Sequence, residues 1–281
     1  MAAQIIAFQG LPGAYSHAAA RAVYPNAAHT PFPSFEETLA AVESGAADYA
    51  IMPMENSIAG RVAEIQLLLL QTPLHIVGEY FQLVEHCLVA LPGTKKSDVK
   101  FVHSHYQALS QCRKHLYALG LQGIVAPNTA MAAAGIKEKN DPVHGAISSA
   151  LAAELYGLDI LARDMADRPQ NLTRFVVMGQ IPALHESDEK NLITSFIFRV
   201  RNIPAALFKA IGGFATNGVN LIKLESYIQD GSFIAADFYA EIEGHPDAPR
   251  PRLAFEEMTF FTENHRILGT YAAHAHRHIN A

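Results

Sequence analysis

The stretch Asp164-Met-Ala-Asp-Arg-Pro-Gln-Asn171-Leu172-Thr173-Arg174-Phe175 runs from polar residues straight into the apolar residues 175–178. Arg174 can grip a carboxylate through two parallel N–H bonds. The Thr173 hydroxyl holds its proton too tightly to ionise at neutral pH, so it donates a hydrogen bond or relays a proton. Asn171 adds an amide. An Asx-type turn before a strand explains the same residues without any chemistry. A second stretch, Met54-Glu55-Asn56-Ser57-Ile58-Ala59-Gly60, sits where a strand is predicted to end and a helix to begin. Capping accounts for Ser57. It accounts less well for Glu55 and Asn56, which can face a cleft.

Other polar groups recur at predicted helix starts. Gly10-x-x-Gly13-x-x-Ser16 follows a strand, and backbone amides at such a turn can hold an anion. It lacks the Lys of a phosphate loop and the full spacing of a dinucleotide site, so a plain strand-to-helix turn stands beside that reading. His103-Ser104-His105-Tyr106-Gln107, Asn128-Thr129 and Ser148-Ser149 are further such starts. The histidine pair has no HExxH or Cys/His partner pattern, so no metal is expected. In open α/β sheets ligands collect outside strand ends, beside helix N-termini. Five such starts with hydroxyl or amide groups suit a dianionic small molecule.

The elements that position these groups follow from periodicity. Residues 4–8, 49–52, 74–77, 87–91, 123–126 and 143–147 read as short apolar strands. Helical spacing appears after Ser16 and over 35–44, 61–71, 129–139 and 148–156. Strands alternating with helices indicate an α/β domain. After Met178 the composition changes, and residues 181–191 read as a polar linker. Beyond it come a strand (192–200), a helix (205–214, with Leu207, Ile211 and Phe214 on one face and Phe208 beside it), and a strand (219–228). An Asp230-Gly231 hairpin signal leads to a partner strand (233–242), a helix around 254–261 and a last strand (267–272). That order is βαββαβ, the ferredoxin-like motif.

Composition excludes several classes. The chain has 281 residues, 50% hydrophobic and 17% charged, enough to bury a large core and too apolar for disorder. A net charge of -6 with no long basic run argues against nucleic-acid binding, while a local site can still attract an anion. The aliphatic run 67–70 is far short of a membrane span, and the N-terminal residues lack a basic region, so a cytoplasmic protein is expected. Cys87 and Cys112 form no CxxC pair, which excludes a disulfide scaffold.

Taken in order, the motifs resemble one family. Asn171-Leu-Thr173-Arg174-Phe175 is similar to the Asn-x-Thr-Arg-Phe signature of prephenate dehydratases. Glu55-Asn56-Ser57, Ser104-His105 with Gln107-Ala-Leu, Asn128-Thr129-Ala, and Ala146-Ile-Ser-Ser149 ahead of Ala152-Ala-Glu-Leu-Tyr156-Gly157 match in order. The resemblance covers residues 4–179. The segment from Ala205-Leu207-Phe208 to Asn220-Leu-Ile-Lys-Leu-Glu225-Ser226 resembles the ACT regulatory domain often fused to this enzyme. It departs at Ala205, where the family often has Gly, and at Tyr227-Ile228, where it often has Arg-Pro.

The resemblance implies an α/β catalytic domain over 1–180, with two periplasmic-binding-protein-like lobes and a cleft between them. A linker (181–191) and a βαββαβ ACT domain (192–281) follow. The implied activity is that of a lyase: prephenate loses carbon dioxide and water to give phenylpyruvate, without a cofactor. Thr173, Asn171, Arg174 and Glu55 are the implied catalytic group. Asn56, Ser57, Gln107, Ser149, Ser16 and Thr129 would bind substrate. Ala205, Ala206, Leu207, Asn220, Leu221, Glu225 and Ser226 would bind L-phenylalanine as effector. A homodimer or homotetramer is implied, with no nucleic-acid or membrane partner. Arogenate as preferred substrate, or a non-catalytic small-molecule sensor, are the alternatives.

Overall fold

The computed structural model describes residues 3–227 and 237–279. The hairpin read at Asp230-Gly231 lies outside the described residues. The chain divides into two compact units. Met1–Ala63 with Tyr80–Phe175 form the first, and Glu64–Glu79 with Val176–Ala281 form the second.

In chain order the elements are β1 (Ile5–Gln9), α1 (Tyr15–Val23), β2 (Ala28–Phe32), α2 (Phe35–Glu43), β3 (Tyr49–Asn56), β4 (Gly60–Arg61), α3 (Ala63–Gln71) and β5 (His75–Leu83). Next come β6 (Cys87–Ala90), β7 (Phe101–Ser104), α4 (Tyr106–Gln111), α5 (Arg113–Ala118), β8 (Gln122–Val125), α6 (Thr129–Lys139), β9 (His144–Ser148), α7 (Ala150–Tyr156), β10 (Asp159–Ala162) and β11 (Leu172–Gly179). One sheet has the order β2-β1-β3-β11-β5, with β4 folded back on β3. A second, mixed sheet has the order β10-β6-β9-β7-β8.

The second sheet is apolar on both faces, and its sequence says why. In β6, Cys87 and Val89 face one cluster with Ile136 and Ala152, while Leu88 and Ala90 face another with Val102 and Leu116. Side chains alternate along a strand, so burial on both sides requires an unbroken apolar run. Helix α6 begins at the residue predicted, because Asn128 caps it by accepting the Met131 amide at 2.7 Å. Its end at Lys139 comes with Asn140 in the left-handed conformation, φ +49°.

The remaining elements are β12 (Leu192–Val200), α8 (Ala206–Thr216), β13 (Leu221–Tyr227), β14 (Asp237–Glu243), α9 (Pro249–Thr259), β15 (Thr262–Ala272) and α10 (His276–Ile279). The antiparallel sheet has the order β13-β14-β12-β15. One face packs Phe196, Phe198 and Ala240 against Ala210 and Phe214 of α8 and Phe255 and Met258 of α9. Phe208, expected beside the apolar face of α8, is instead 75% exposed.

Buried polar side chains of the same sheet form a network in which hydrogen bonds link Tyr271 to Ser195, Ser195 to Tyr239 and Tyr239 to Glu241. Arg277 closes it, bonding Glu241 at 2.9 Å and both oxygens of Glu79 at 2.7 and 2.8 Å. Arg277 and the His274 amide anchor the histidine-rich C-terminal segment to Glu79.

Ala205 precedes α8 in the left-handed conformation, φ +58°. That region costs a residue with a Cβ about 1–2 kcal/mol. Ala205→Gly is expected to raise stability by about 1 kcal/mol, less the extra freedom glycine gives the unfolded chain. A urea midpoint that falls in the variant would refute this.

Candidate active site

The site is built on the end of β3 and the start of β11. Asn56 closes a tight hairpin in which Glu55 faces Arg61 and Asn56 faces Gly60. The Asn56 side-chain oxygen accepts the amides of Ile58 (3.0 Å) and Ala59 (2.8 Å). Backbone amides only donate, so these two bonds fix which end of the Asn56 amide points where. Its Nδ2 then donates to Asn171 Oδ1 at 2.6 Å and Thr173 Oγ1 at 2.9 Å. Thr173 therefore receives a hydrogen bond on its oxygen, and its own hydrogen is left to aim elsewhere.

The polarity continues outward. With its oxygen taken by Asn56, Asn171 donates through Nδ2 to Gln111 Oε1 at 2.9 Å. That same oxygen lies 2.9 Å from His86 Nε2. His86 is buried, and desolvation lowers its pKa, so the ring is neutral. Its single hydrogen then sits on Nε2, facing an acceptor, and Nδ1 is the acceptor 3.0 Å from the Tyr15 hydroxyl. Tyr15 also lies 2.8 Å from the Glu85 carbonyl, and burial keeps its phenol protonated.

Other predicted residues take supporting roles. Arg174 is 2% exposed, and its guanidinium lies 3.3 Å from Glu55 Oε1. It positions the Thr173 segment beside Glu55 and is not an open cation for a substrate. Ser57 caps no helix, because α3 starts only at Ala63. Its hydroxyl donates to the Gln170 carbonyl (3.2 Å) and accepts the Leu172 amide (3.0 Å), stapling the hairpin to the start of β11.

Ser149 caps α7 by accepting the Ala152 amide, and it donates to the Gly13 carbonyl at 2.6 Å. Ser16 is no cap either. Helix α1 starts at Tyr15, and Ser16 is buried in its first turn. Three amides of the Gly10 turn are engaged within the protein: Gly10 by Phe32 O, Ala14 by Leu11 O and Gly13 by His17 Nδ1. Gly13 has φ +91°, and an added Cβ would fall 2.7 Å from the Ala152 Cα, so glycine is needed for close approach to α7. Gln107 lies exposed at the start of α4 and Thr129 starts α6, and neither bonds to the Asn56–Thr173 cluster. His103 is held by His144 at 2.9 Å, a structural contact.

Beside Gln111 lies a cavity of about 500 Å³ lined by Ile58, Ser110, Gln111, Arg113, Lys114, Ala166, Asp167 and Arg168. Tyr15, His86, Gln111 and these cations are absent from the sequence-based set. The one visible signal was the polar pair Glu85-His86 inside an otherwise apolar run from Leu83 to Leu91.

A family model described as prephenate dehydratase matches residues 6–183. The chain belongs to this family. A bifunctional N-acyl-homoserine lactone acylase/prephenate dehydratase of Komagataeibacter europaeus is 46% identical over 270 residues, 96% of either chain. An arogenate dehydratase/prephenate dehydratase of Arabidopsis thaliana is 40% identical, covering 95% of this chain and 71% of the relative. A prephenate dehydratase of Arthrobacter aurescens, solved in complex with L-Phe, superposes with a TM-score of 0.86 at 30% identity, over 95% of this chain and 89% of that one.

Prephenate dehydratase membership covers the whole Asn56–Thr173 cluster. The predicted effector residues lie in the second unit. Ala205, Ala206 and Leu207 open α8, Asn220 and Leu221 lead into β13, and Glu225 and Ser226 lie within it. Glu225 is already engaged by Gln66 Nε2 at 2.5 Å and by Lys223 Nζ at 3.0 Å. A cavity of about 440 Å³ is lined by Asn220 and none of the other six. Among the described residues no helix is long and apolar enough to cross a membrane.

Proposed function

We propose that the chain converts prephenate to phenylpyruvate. The observation that carries this reading is the Asn56 amide, whose orientation leaves the Thr173 hydroxyl hydrogen free to donate. In prephenate one carboxylate departs from the ring carbon opposite the hydroxyl. As that C–C bond breaks, its electron pair enters the ring, the C–O bond to the hydroxyl breaks, and the ring becomes aromatic. Carbon dioxide leaves, and hydroxide leaves with Thr173 donating to it and is protonated to water. A preorganised donor aimed at the developing charge suffices, and no nucleophile is required. Asn56, Asn171 and Ser57 hold Thr173, and Arg174 holds Glu55. Gln107, Ser149, Ser16 and Thr129 would act from the cleft walls, the first two sheets forming its two lobes in a catalytic domain over residues 1–180.

Residues 192–281, after the 181–191 linker, are proposed as an ACT domain that binds L-phenylalanine and represses turnover, in a homodimeric or homotetrameric cytoplasmic enzyme. The βαββαβ element order and the phenylalanine bound to the Arthrobacter relative support this. The expected effector group is Ala205, Ala206, Leu207, Asn220, Leu221, Glu225 and Ser226.

One assay tests the activity: the purified chain with prephenate and, separately, arogenate. Phenylpyruvate formed from prephenate, read by its absorbance in alkali, is the expected result. Turnover of neither would leave a sensor. Calorimetry of the full chain with phenylalanine tests the effector, and no heat at millimolar ligand would discard it. A second activity, cleavage of N-acyl-homoserine lactones, is suggested by the 46% identical bifunctional relative. Release of homoserine lactone from a long-chain substrate tests it.

A further inference from the structure

We infer that Arg113, Lys114 and Arg168 bind the side-chain carboxylate of the substrate and set a preference for the dianionic keto acid over its amino counterpart. The inference rests on the proposed dehydratase reading and deepens it. A dicarboxylate needs cations, and the one cation in the sequence signature, Arg174, is buried against Glu55. The cavity beside Gln111 supplies three others, all exposed, none ion-paired among the described residues. The cavity's one anion, Asp167, is outnumbered by the three cations and held by hydrogen bonds. Its carboxylate accepts the amides of Lys114 (3.1 Å to each oxygen) and His115 (3.4 Å), and lies 3.2 Å from His115 Nδ1. The balance inside the cavity is therefore positive on a chain that is acidic overall.

The placement matches the substrate. The leaving hydroxyl and the two carboxyl-bearing groups sit at opposite ring positions, so a donor for one and cations for the other must stand a ring's width apart. Hydrogen bonds link the cavity wall to Thr173 through Asn56. The Ile58 amide bonds Asn56, which bonds Thr173, and Gln111 bonds Asn171, which bonds Asn56 in turn. Cations there suit the side-chain carboxylate, which stays. A cation on the departing carboxylate would hold back the charge that must flow into the ring. Arogenate carries an ammonium next to that side-chain carboxylate, which like charges disfavour.

The test uses the full chain and steady-state kinetics with both substrates. Arg113→Glu with Arg168→Glu places two repulsive charges where two attractive ones stood. Both side chains are exposed, so the fold is kept, and thermal melting checks it. KM for prephenate is expected to rise about tenfold, with a smaller change in kcat. The ratio of kcat/KM for prephenate to that for arogenate should fall by a similar factor. The kcat/KM for prephenate is expected to fall with rising salt in the unaltered chain and to depend less on salt in the variant. Arg113→Lys with Arg168→Lys should restore most of the loss. An unchanged prephenate KM in the reversed variant, or equal losses on both substrates, overturns the inference alone. Absence of turnover by the unaltered chain overturns the dehydratase reading and the inference with it.

Discussion

Thr173→Ala lowers kcat by about 10²–10⁴-fold and leaves KM nearly unchanged, the range expected for removing one positioned donor that acts in the transition state. The direction follows from the wiring. Asn56 Nδ2 already satisfies the Thr173 oxygen at 2.9 Å, so nothing in the ground state requires the hydroxyl hydrogen. Its loss is felt only as negative charge builds on the leaving oxygen. Thr173→Ser keeps the hydroxyl and should retain most of the rate. Thr173 is partly exposed, so a small cavity there costs little stability. Near-normal kcat in the alanine variant would remove Thr173 from the chemistry.

Asn56→Asp should cost at least about 10²-fold in kcat with much less effect on folding, a larger separation of the two than an alanine would give. The introduced carboxylate is almost isosteric and still accepts the Ile58 and Ala59 amides. It cannot donate. Asn171 would turn its amide to donate inward, Gln111 would turn in response and His86 would shift its hydrogen, so the side-chain network survives with reversed polarity, while the Leu172 carbonyl, 3.1 Å from Nδ2, loses its donor. Thr173 would then spend its hydrogen on the carboxylate, away from the substrate. The pH dependence has a defined sign. Below the pKa of the introduced group its neutral acid regains one donor, so the variant's rate should rise relative to the parent as pH falls through that pKa. A variant whose loss is independent of pH, or that retains full kcat, would contradict the polarity argument.

Part of this was legible in the residues. Strand β12 and helix α6 follow from alternation, an asparagine cap and helical spacing, all local signals. Asn56, Asn171 and Thr173 stood out because polar side chains at strand ends are not needed for packing. Ser57 misled for a physical reason. A hairpin with a three-residue loop and a helix start both place small polar residues after a strand, and only the later start of α3 separates them. Ser16 misled similarly, one residue inside the helix it was expected to cap. The partnership of Tyr15 with His86 joins residues 71 apart in the chain, and no spacing rule reaches that far. Strand β7 spends half of its four residues on His103 and Ser104, and β10 opens on Asp159, so each breaks the apolar run by which the equally short β6 and β8 were read.

The second unit draws on residues 64–79 as well as on the C-terminal half, and this matters for anyone who would transplant the proposed regulatory unit. Arg266 donates to the carbonyls of Thr72 and Leu69, Arg277 clasps Glu79, and a side chain at Gly269 would overlap the Ile76 carbonyl. A fragment cut at Leu192 would lack the carbonyls that Arg266 binds and the Glu79 carboxylate, leaving Arg277 only Glu241 of these partners. A chimera that receives only residues 192–281 would thus inherit a module missing one of its walls. A working exchange has to carry the early helix and strand along, from a point in the chain more than a hundred residues upstream.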